Sequence, residues 1–263
     1  MKKIVFFDID GTLIDSFGGV REMKPRVKEA IRNLQSRGHY VFIATGRPYA
    51  FLNKEIRDFG FDGFVLANGA HVIINNKTIH SKPIDNSFVK ELITNLDSNN
   101  VQYVLEGENY SYVKEEHKYL YDFYINIGAE ERFFKRNFDI EDIDIHKVEM
   151  YCEDKDILIQ CLEYINKYPE YGHFSSISKN YIELYFKEST KAEGILKTLE
   201  YLDIPLENSY AFGDGENDIE MLSTVGCGIA MGNASDKVKK YAKEITDTVH
   251  NDGVAIGIEK YVK

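Results

Sequence analysis

The sequence predicts an α/β protein, a core domain built on a parallel sheet with a smaller α/β domain inserted between its two halves. Short apolar runs alternate with helical patterns at both ends of the chain, the rhythm of β-α units in a parallel sheet. Two of these runs, one near each end, stop at clusters of acids: Asp8-Ile9-Asp10 and Gly213-Asp214-Gly215-Glu216-Asn217-Asp218. Between residues 83 and 187 the pattern changes, and 12 of the chain's 18 tyrosines fall there, which marks that stretch as a separate unit. We therefore expect a core of residues 1–82 and 188–263 and an inserted domain of residues 83–187. The crossings near Ser81-Lys82-Pro83 and Lys187-Glu188-Ser189 would act as a hinge.

Lys3 to Phe7 reads as a buried strand, apolar and closed by a glycine turn. Charge is costly there, so Asp8 and Asp10 belong at the strand's carboxyl end, the edge where open α/β sheets bind ligands. Gly11 permits a sharp turn that aims amides and both carboxylates at one centre. Taken alone, D-x-D also describes an ordinary solvated acidic turn. Leu13 to Lys24 lacks periodicity and contains Gly18-Gly19, which suggests a mobile flap, with Ser16 to Val20 nearest the site. Pro25 opens a helix with Val27, Ala30, Ile31 and Leu34 on one face. Tyr40 to Ala44 is the second strand, ending at Thr45-Gly46-Arg47-Pro48. A second helix is expected from Pro48, with Tyr49, Leu52, Ile56 and Phe59 inside, so that Thr45 and a helix N-terminus make a phosphate seat. An ordinary β-α turn is the alternative. Gly63 to Ala67 is the third strand, ending in Asn68-Gly69-Ala70, and a hairpin with Asn75-Asn76 at its tip follows.

In the inserted stretch, residues 101–105, 110–113, 147–151, 173–177 and 182–186 look like strands of one open sheet. His117, His146 and His173 have no metal-ligand spacing. Past it, Thr190-Lys191-Ala192-Glu193-Gly194 opens another helix. A lysine at a helix start opposes the dipole unless an anion is near, though an ordinary surface lysine is the alternative. Ser209 to Phe212 is the strand leading to the second acidic cluster, and the rest of the chain supplies further β-α units.

A net charge of −11 argues against a nucleic-acid partner and requires local cations for any phosphorylated one. No apolar run approaches the roughly 20 residues of a membrane span, and the N-terminus enters a strand without a signal-like segment, so a cytoplasmic protein is expected. Cys152, Cys161 and Cys227 are odd in number and lack C-x-x-C spacing, which indicates reduced packing residues.

The motifs D-I-D-G-T, T-G-R, a lysine at a helix start and G-D-G-E-N-D, in that order, resemble those of the haloacid dehalogenase superfamily. T-G-R-P, N-G-A, T-K-A-E-G and G-D-G-E-N-D-I-E-M are similar to the Cof-type branch. The resemblance implies a Rossmann-like core with an inserted cap of the type called C2B. It implies Asp8 as nucleophile, Asp10 as acid and base, and Thr45 and Lys191 as phosphate-binding catalytic groups. It further implies phosphate or substrate contacts at Gly46, Arg47, Asn68 and Asn217, and Mg²⁺ held by Asp8, Asp10 through its backbone carbonyl, Asp214 and Asp218. The charges agree independently: a carboxylate about 4 Å from a phosphate meets repulsion of about 4 kcal/mol per charge pair at an effective dielectric of about 20, which a dication and Lys191 can cancel. On this reading Lys191→Met spares stability and slows phosphoryl transfer by orders of magnitude. The expected substrate is a small phosphorylated metabolite, foremost a sugar phosphate. Tyr181, Glu183 and Tyr185 are the cap candidates for contacting its organic part, and the protein is expected to be a monomer or weak homo-oligomer. A phosphomutase, a dehalogenase and a receiver-like signalling module are the other readings. Asp10 disfavours the dehalogenase, whose leaving group needs no proton, and chain length disfavours the receiver.

Overall fold

The computed structural model describes residues 2–16 and 18–262; Phe17, within the expected flap, lies outside the described residues. Strand β1 (Ile4–Phe7) is buried along its whole length, as an apolar run covered on both faces must be. The expected flap begins on buried anchors, Leu13 and Ile14, and ends on another, Met23. Asp15 and Val20 exchange backbone hydrogen bonds of 2.8 Å, so the loop is pinned at both ends of its tip. Helix α1 (Pro25–Ser36) buries the predicted stripe of Val27, Ala30, Ile31 and Leu34. After β2 (Tyr40–Ala44) comes a correction. In place of one helix from Pro48 there is a 3-10 turn over Tyr49–Phe51 and then a short α2 (Lys54–Asp58). Leu52 breaks the run with extended backbone, φ −69° and ψ 126°. Phe51 explains the break, because it stacks on Tyr124 of the inserted segment with centroids 4.0 Å apart. Strands β3 (Gly63–Leu66), β4 (His71–Ile74) and β5 (Lys77–Ser81) close this half, and Asn75 and Asn76 turn between β4 and β5 with φ of 50° and 60°.

The inserted segment runs through α3 (Asn86–Ser98), β6 (Gln102–Gly107), β7 (Ser111–Val113), α4 (Lys118–Asn126), β8 (Phe134–Lys135), β9 (Ile145–Tyr151), α5 (Lys155–Ile165), β10 (Tyr171–Ser176) and β11 (Tyr181–Phe186). The chain returns with α6 (Lys191–Leu202), β12 (Ser209–Gly213), α7 (Ile219–Thr224), β13 (Cys227–Ala230), α8 (Asp236–Lys239), β14 (Glu244–Ile245) and α9 (Gly253–Tyr261).

Two sheets result, ordered β14-β13-β12-β1-β2-β3-β4-β5 and β10-β11-β9-β6-β7-β8. From β14 to β3 the first is parallel, and β1 lies at its centre with Phe7 beside Phe212 of β12. That register sets the two acidic strand ends side by side. The first compact unit comprises Met1–Gly46, Lys54–His80 and Thr190–Lys263, and the second comprises Arg47–Asn53 and Ser81–Ser189. Arg47–Asn53 differs from the expected division because Ala50 and Phe51 share a core with Val104, Val113, Leu120 and Tyr124. In the second unit one face of the sheet is apolar and packs with α3 and α5, whose buried residues include Phe88, Leu92, Leu158 and Cys161. Among the described residues no helix is long and apolar enough to cross a membrane.

Candidate active site

The site in the first unit grows out of the end of β1. The sheet ladder continues one residue past the strand, where Asp8 N donates to Phe212 O at 3.0 Å, so the Asp8 backbone is fixed. Its side chain is buried, whereas Asp10 is exposed. Gly11 takes φ +86°, and a Cβ there would fall 2.1 Å from Asp214 Oδ2. Both the left-handed backbone and the close approach of Asp214 demand glycine.

Asp214 is held from two further directions. Thr12 Oγ1 donates to its Oδ1 at 3.1 Å, and Asn233 Nδ2 donates to its Oδ2 at 3.2 Å and to Gly11 O at 2.8 Å. Neither Thr12 nor Asn233 was singled out from the sequence as a site residue. The available signals were the final T of D-I-D-G-T and a Gly-Asn-Ala after β13, both at strand ends.

Lys191 is the first residue of α6 and is 1% exposed. Its Nζ lies 2.6 Å from Asp8 Oδ1 and 2.6 Å from Asp218 Oδ1, so the surface-lysine alternative is excluded. Asp218 turns its other oxygen to the amides of Asp214 and Gly215, each at 2.9 Å. With both oxygens engaged, Asp218 serves to hold Lys191 and the turn. Gly69 makes this placement possible: with φ +96°, its missing Cβ would sit 2.0 Å from Thr190 O, at the cap of α6. Thr190 in turn caps the helix by accepting from Glu193 N at 3.2 Å.

The phosphate-seat candidates also converge. Thr45 is buried, its N donates to Val65 O at 2.9 Å, and its carbonyl accepts from Asn68 N at 3.1 Å. Asn217 Nδ2 donates to Asn68 Oδ1 at 3.0 Å, and a Cβ on Gly46 would lie 2.9 Å from that same oxygen. The expected helix N-terminus behind Thr45 is absent, since only the 3-10 turn follows. Arg47 belongs to the second unit, where its Nη1 donates to Phe51 O at 3.0 Å.

Burial pushes the Asp8 carboxyl well above the usual range, and Asp218 adds to this while Lys191 opposes it. Burial, and then Asp218, push Asp214 up to about 6. Burial pulls Lys191 down, but Asp218 and Asp8 together outweigh it and hold the ammonium above its ordinary value. Asp8, Asp214 and Asp218 can each offer a carboxylate oxygen within 4.8 Å of the others. Three crowded acids against one ammonium, all of them hard oxygen donors, suit a small divalent cation.

A parallel sheet whose central strand ends set crowded acids against a buried lysine is an α/β core suited to holding a cation and an anionic group together. Residues 5–258 match the family model for haloacid dehalogenase-like hydrolases. The chain is 31% identical over 269 residues to the 5-amino-6-(5-phospho-D-ribitylamino)uracil phosphatase YcsE of Bacillus subtilis, with 99% of this chain and 96% of that one covered. Among solved structures it is similar to a hypothetical protein from Geobacillus kaustophilus, with a TM-score of 0.86, 32% identity and coverage of 99% and 98%. It is also similar to the subclass IIB sugar phosphatase BT4131, with a TM-score of 0.79, 25% identity and 99% of each chain covered. The chain belongs to the haloacid dehalogenase-like hydrolases, and is a phosphoric monoester hydrolase of that family.

Proposed function

We propose that this hydrolase is a Mg²⁺-dependent phosphatase of small phosphorylated metabolites, sugar phosphates and related polyol phosphates, acting through an aspartyl-phosphate on Asp8. The observation that carries the reading is the bridge from Lys191 Nζ to Asp8 Oδ1 and Asp218 Oδ1, 2.6 Å each, which favours the charged form of a buried carboxylate against its burial and orients it for attack. Asp10, exposed two residues on, gives a proton to the leaving oxygen and then takes one from the attacking water. Asp8, Asp214 and the Asp10 backbone carbonyl would hold Mg²⁺, whose charge offsets repulsion between the carboxylates and the phosphate. Asp218 positions Lys191 and supports the metal's surroundings. Thr45, Gly46, Asn68 and Asn217 hold the phosphoryl oxygens and substrate, and Arg47 is a further candidate for substrate contact. The second unit, Arg47–Asn53 and Ser81–Ser189, supplies selectivity through Tyr181, Glu183 and Tyr185. The names of YcsE and BT4131, an aminoribityl-uracil phosphatase and a sugar phosphatase, support a small organic phosphate as substrate.

The test is a phosphomonoester panel assayed with Mg²⁺ and with excess chelator. Hydrolysis of several small esters only with the metal is expected, and full activity in chelator would overturn the metal site.

A further inference from the structure

The turn that follows β13 carries a side chain that reaches three other segments of the first unit. Its backbone is fixed first. Met231 N donates to Gly213 O, extending the ladder between β12 and β13, Gly232 N donates to Asp247 O, and Ala234 N donates to Met231 O, each at 3.0 Å. Held this way, the Asn233 amide spans the turns after β1 and β12 and the one before α9. Its Nδ2 donates to Gly11 O at 2.8 Å and to Asp214 Oδ2 at 3.2 Å, and its Oδ1 accepts from Val249 N at 3.0 Å. The three contacts fix which end of the amide faces which partner, since its nitrogen donates and its oxygen accepts.

Burial does not demand these bonds. Asn233 is exposed, so water could satisfy its polar atoms. Its partners lie 222 and 19 residues away at Gly11 and Asp214, and what they share is their place at the acidic strand ends. Gly11 O belongs to the peptide next to the one whose carbonyl, that of Asp10, is assigned above to the cation. Gly11 N donates to Ile14 O at 2.7 Å, so the peptides on both sides of Gly11 are held, one by the turn itself and the other by Asn233.

At Asp214 the amide completes a pair of donors. Thr12 Oγ1 holds Oδ1 and Asn233 Nδ2 holds Oδ2, so the plane of the carboxylate is set from both sides while it stays within reach of Asp8 and Asp218. The chemistry of the two donors matters. Lys191 Nζ bonds Asp8 and Asp218, whereas Asp214 takes its hydrogen bonds from a hydroxyl and an amide. A lysine or arginine in place of Asn233 would neutralise Asp214 and compete with a divalent ion. A neutral donor orients the carboxylate and leaves its charge for the metal, the division of labour expected of an outer partner to a ligating group.

We infer that Asn233 is a positioning residue for the cation site, acting through Asp214 and the Asp10-Gly11 turn and not as a ligand itself. The inference rests on the reading of Asp8, Asp214 and the Asp10 carbonyl as a Mg²⁺ site, and extends it to a residue on another loop. Mn²⁺ serves as the probe, because electron paramagnetic resonance counts the free ion without turnover. The metal-free full chain is titrated with Mn²⁺ alone. Asn233→Ala should bind the ion about tenfold or more weakly than wild type, the range for loss of an outer partner. The Mg²⁺ concentration for half-maximal hydrolysis of an aryl phosphate should rise in step. In excess chelator the melting temperature should fall by only about 2–4 °C, the shift expected from exposed hydrogen bonds in a chain of this size. A contact kept for stability alone gives a lower melting temperature with unchanged Mn²⁺ affinity, and that result overturns the inference. Should Asn233→Ala not fold, Val249→Pro decides. It removes the amide that anchors Asn233 Oδ1, at the first position of a 3-10 turn and after an extended Thr248, where proline is accepted. Weaker Mn²⁺ binding in that variant supports the inference, and unchanged binding overturns it. A wild type that binds no Mn²⁺ overturns the metal reading itself, and the inference with it.

Discussion

Lys191→Met removes the ammonium that bridges Asp8 and Asp218, both 9% exposed or less at the side chain. At 2.6 Å and an effective dielectric of about 20, each contact is worth about 6 kcal/mol gross, most of it offset by desolvating the ions. What remains on removing one partner of a buried pair is about 3–5 kcal/mol, because the surviving charges are stranded. We expect the metal-free variant to lose that much in urea unfolding at neutral pH. The sign of the pH dependence follows from Asp8, whose folded carboxyl already lies above its ordinary range. Loss of Lys191 raises it further, so the neutral form is favoured in the fold and the deficit grows as pH rises. The deficit should therefore shrink towards mild acid. Adding Asp218→Asn to the variant removes a stranded charge and should restore part of the loss, and Mg²⁺ should do the same through the remaining carboxylates. A Lys191→Met protein within about 1 kcal/mol of wild type in chelator at neutral pH would falsify the charge-balance account.

Asp8→Asn should abolish steady-state turnover of a generic aryl phosphate, and more than trace activity would exclude the covalent route. Asp10→Asn, at an exposed position, should fold normally and slow turnover by about 10²–10⁴-fold, with burst kinetics showing whether formation or hydrolysis of the phosphoenzyme is slower. Gly69→Ala places a Cβ against Thr190 O in a left-handed backbone, so both the melting temperature and kcat should drop as the start of α6 shifts. His71 is 1% exposed, and burial, then His80, lower its pKa to about 4. The unfolded chain binds this proton near the ordinary value and the fold resists it, so stability falls as pH drops from 6.5 towards about 4. Over that interval wild type should lose about 3 kcal/mol more than His71→Gln in matched urea titrations, and parallel curves would show that His71 is not the titrating group.

The strand-end acids were legible because a carboxylate directly after an apolar run has few structural excuses, and two such runs in one chain have fewer. Lys191 was legible only through its place at a helix start. Its full burial was not, which is why the sequence suggests that its removal spares stability while the structure says the opposite. Thr12 and Asn233 escaped notice because small polar residues at turns are common, and only the fold shows them converging on Asp214. Arg47–Asn53 was misplaced for a similar reason. Its apolar spacing continues a helical period, but the surface that Phe51 meets, Tyr124 and Phe134, comes from beyond residue 83 and has no local signature. The cluster of Glu106, Lys147, Glu149 and Glu183 was hidden because cross-strand register decides which charges become neighbours. Glu183 and Tyr181 were within reach as candidates, but the carboxylates they join were not.

The Lys191 contact to Asp8 spans 183 residues of chain, while nearly all of the second unit is one continuous stretch from Ser81 to Ser189. A ribosome therefore releases β1, with its acids, long before it makes the lysine, β12 or Asp218. Until then β1 lacks one of its two neighbouring strands and Asp8 lacks its counter-charge. Closing so long a loop is slow relative to local pairing, so the inserted unit should acquire protection first and the catalytic sheet last. In pulse-labelled hydrogen exchange during refolding, amides of β9 and β11 are expected to be protected before those of β1 and β12. A chain cut between residues 190 and 218 would carry the whole second unit together with Asp8 and Asp10 but lack Asp218, the partner that holds Lys191, and should show no phosphatase activity.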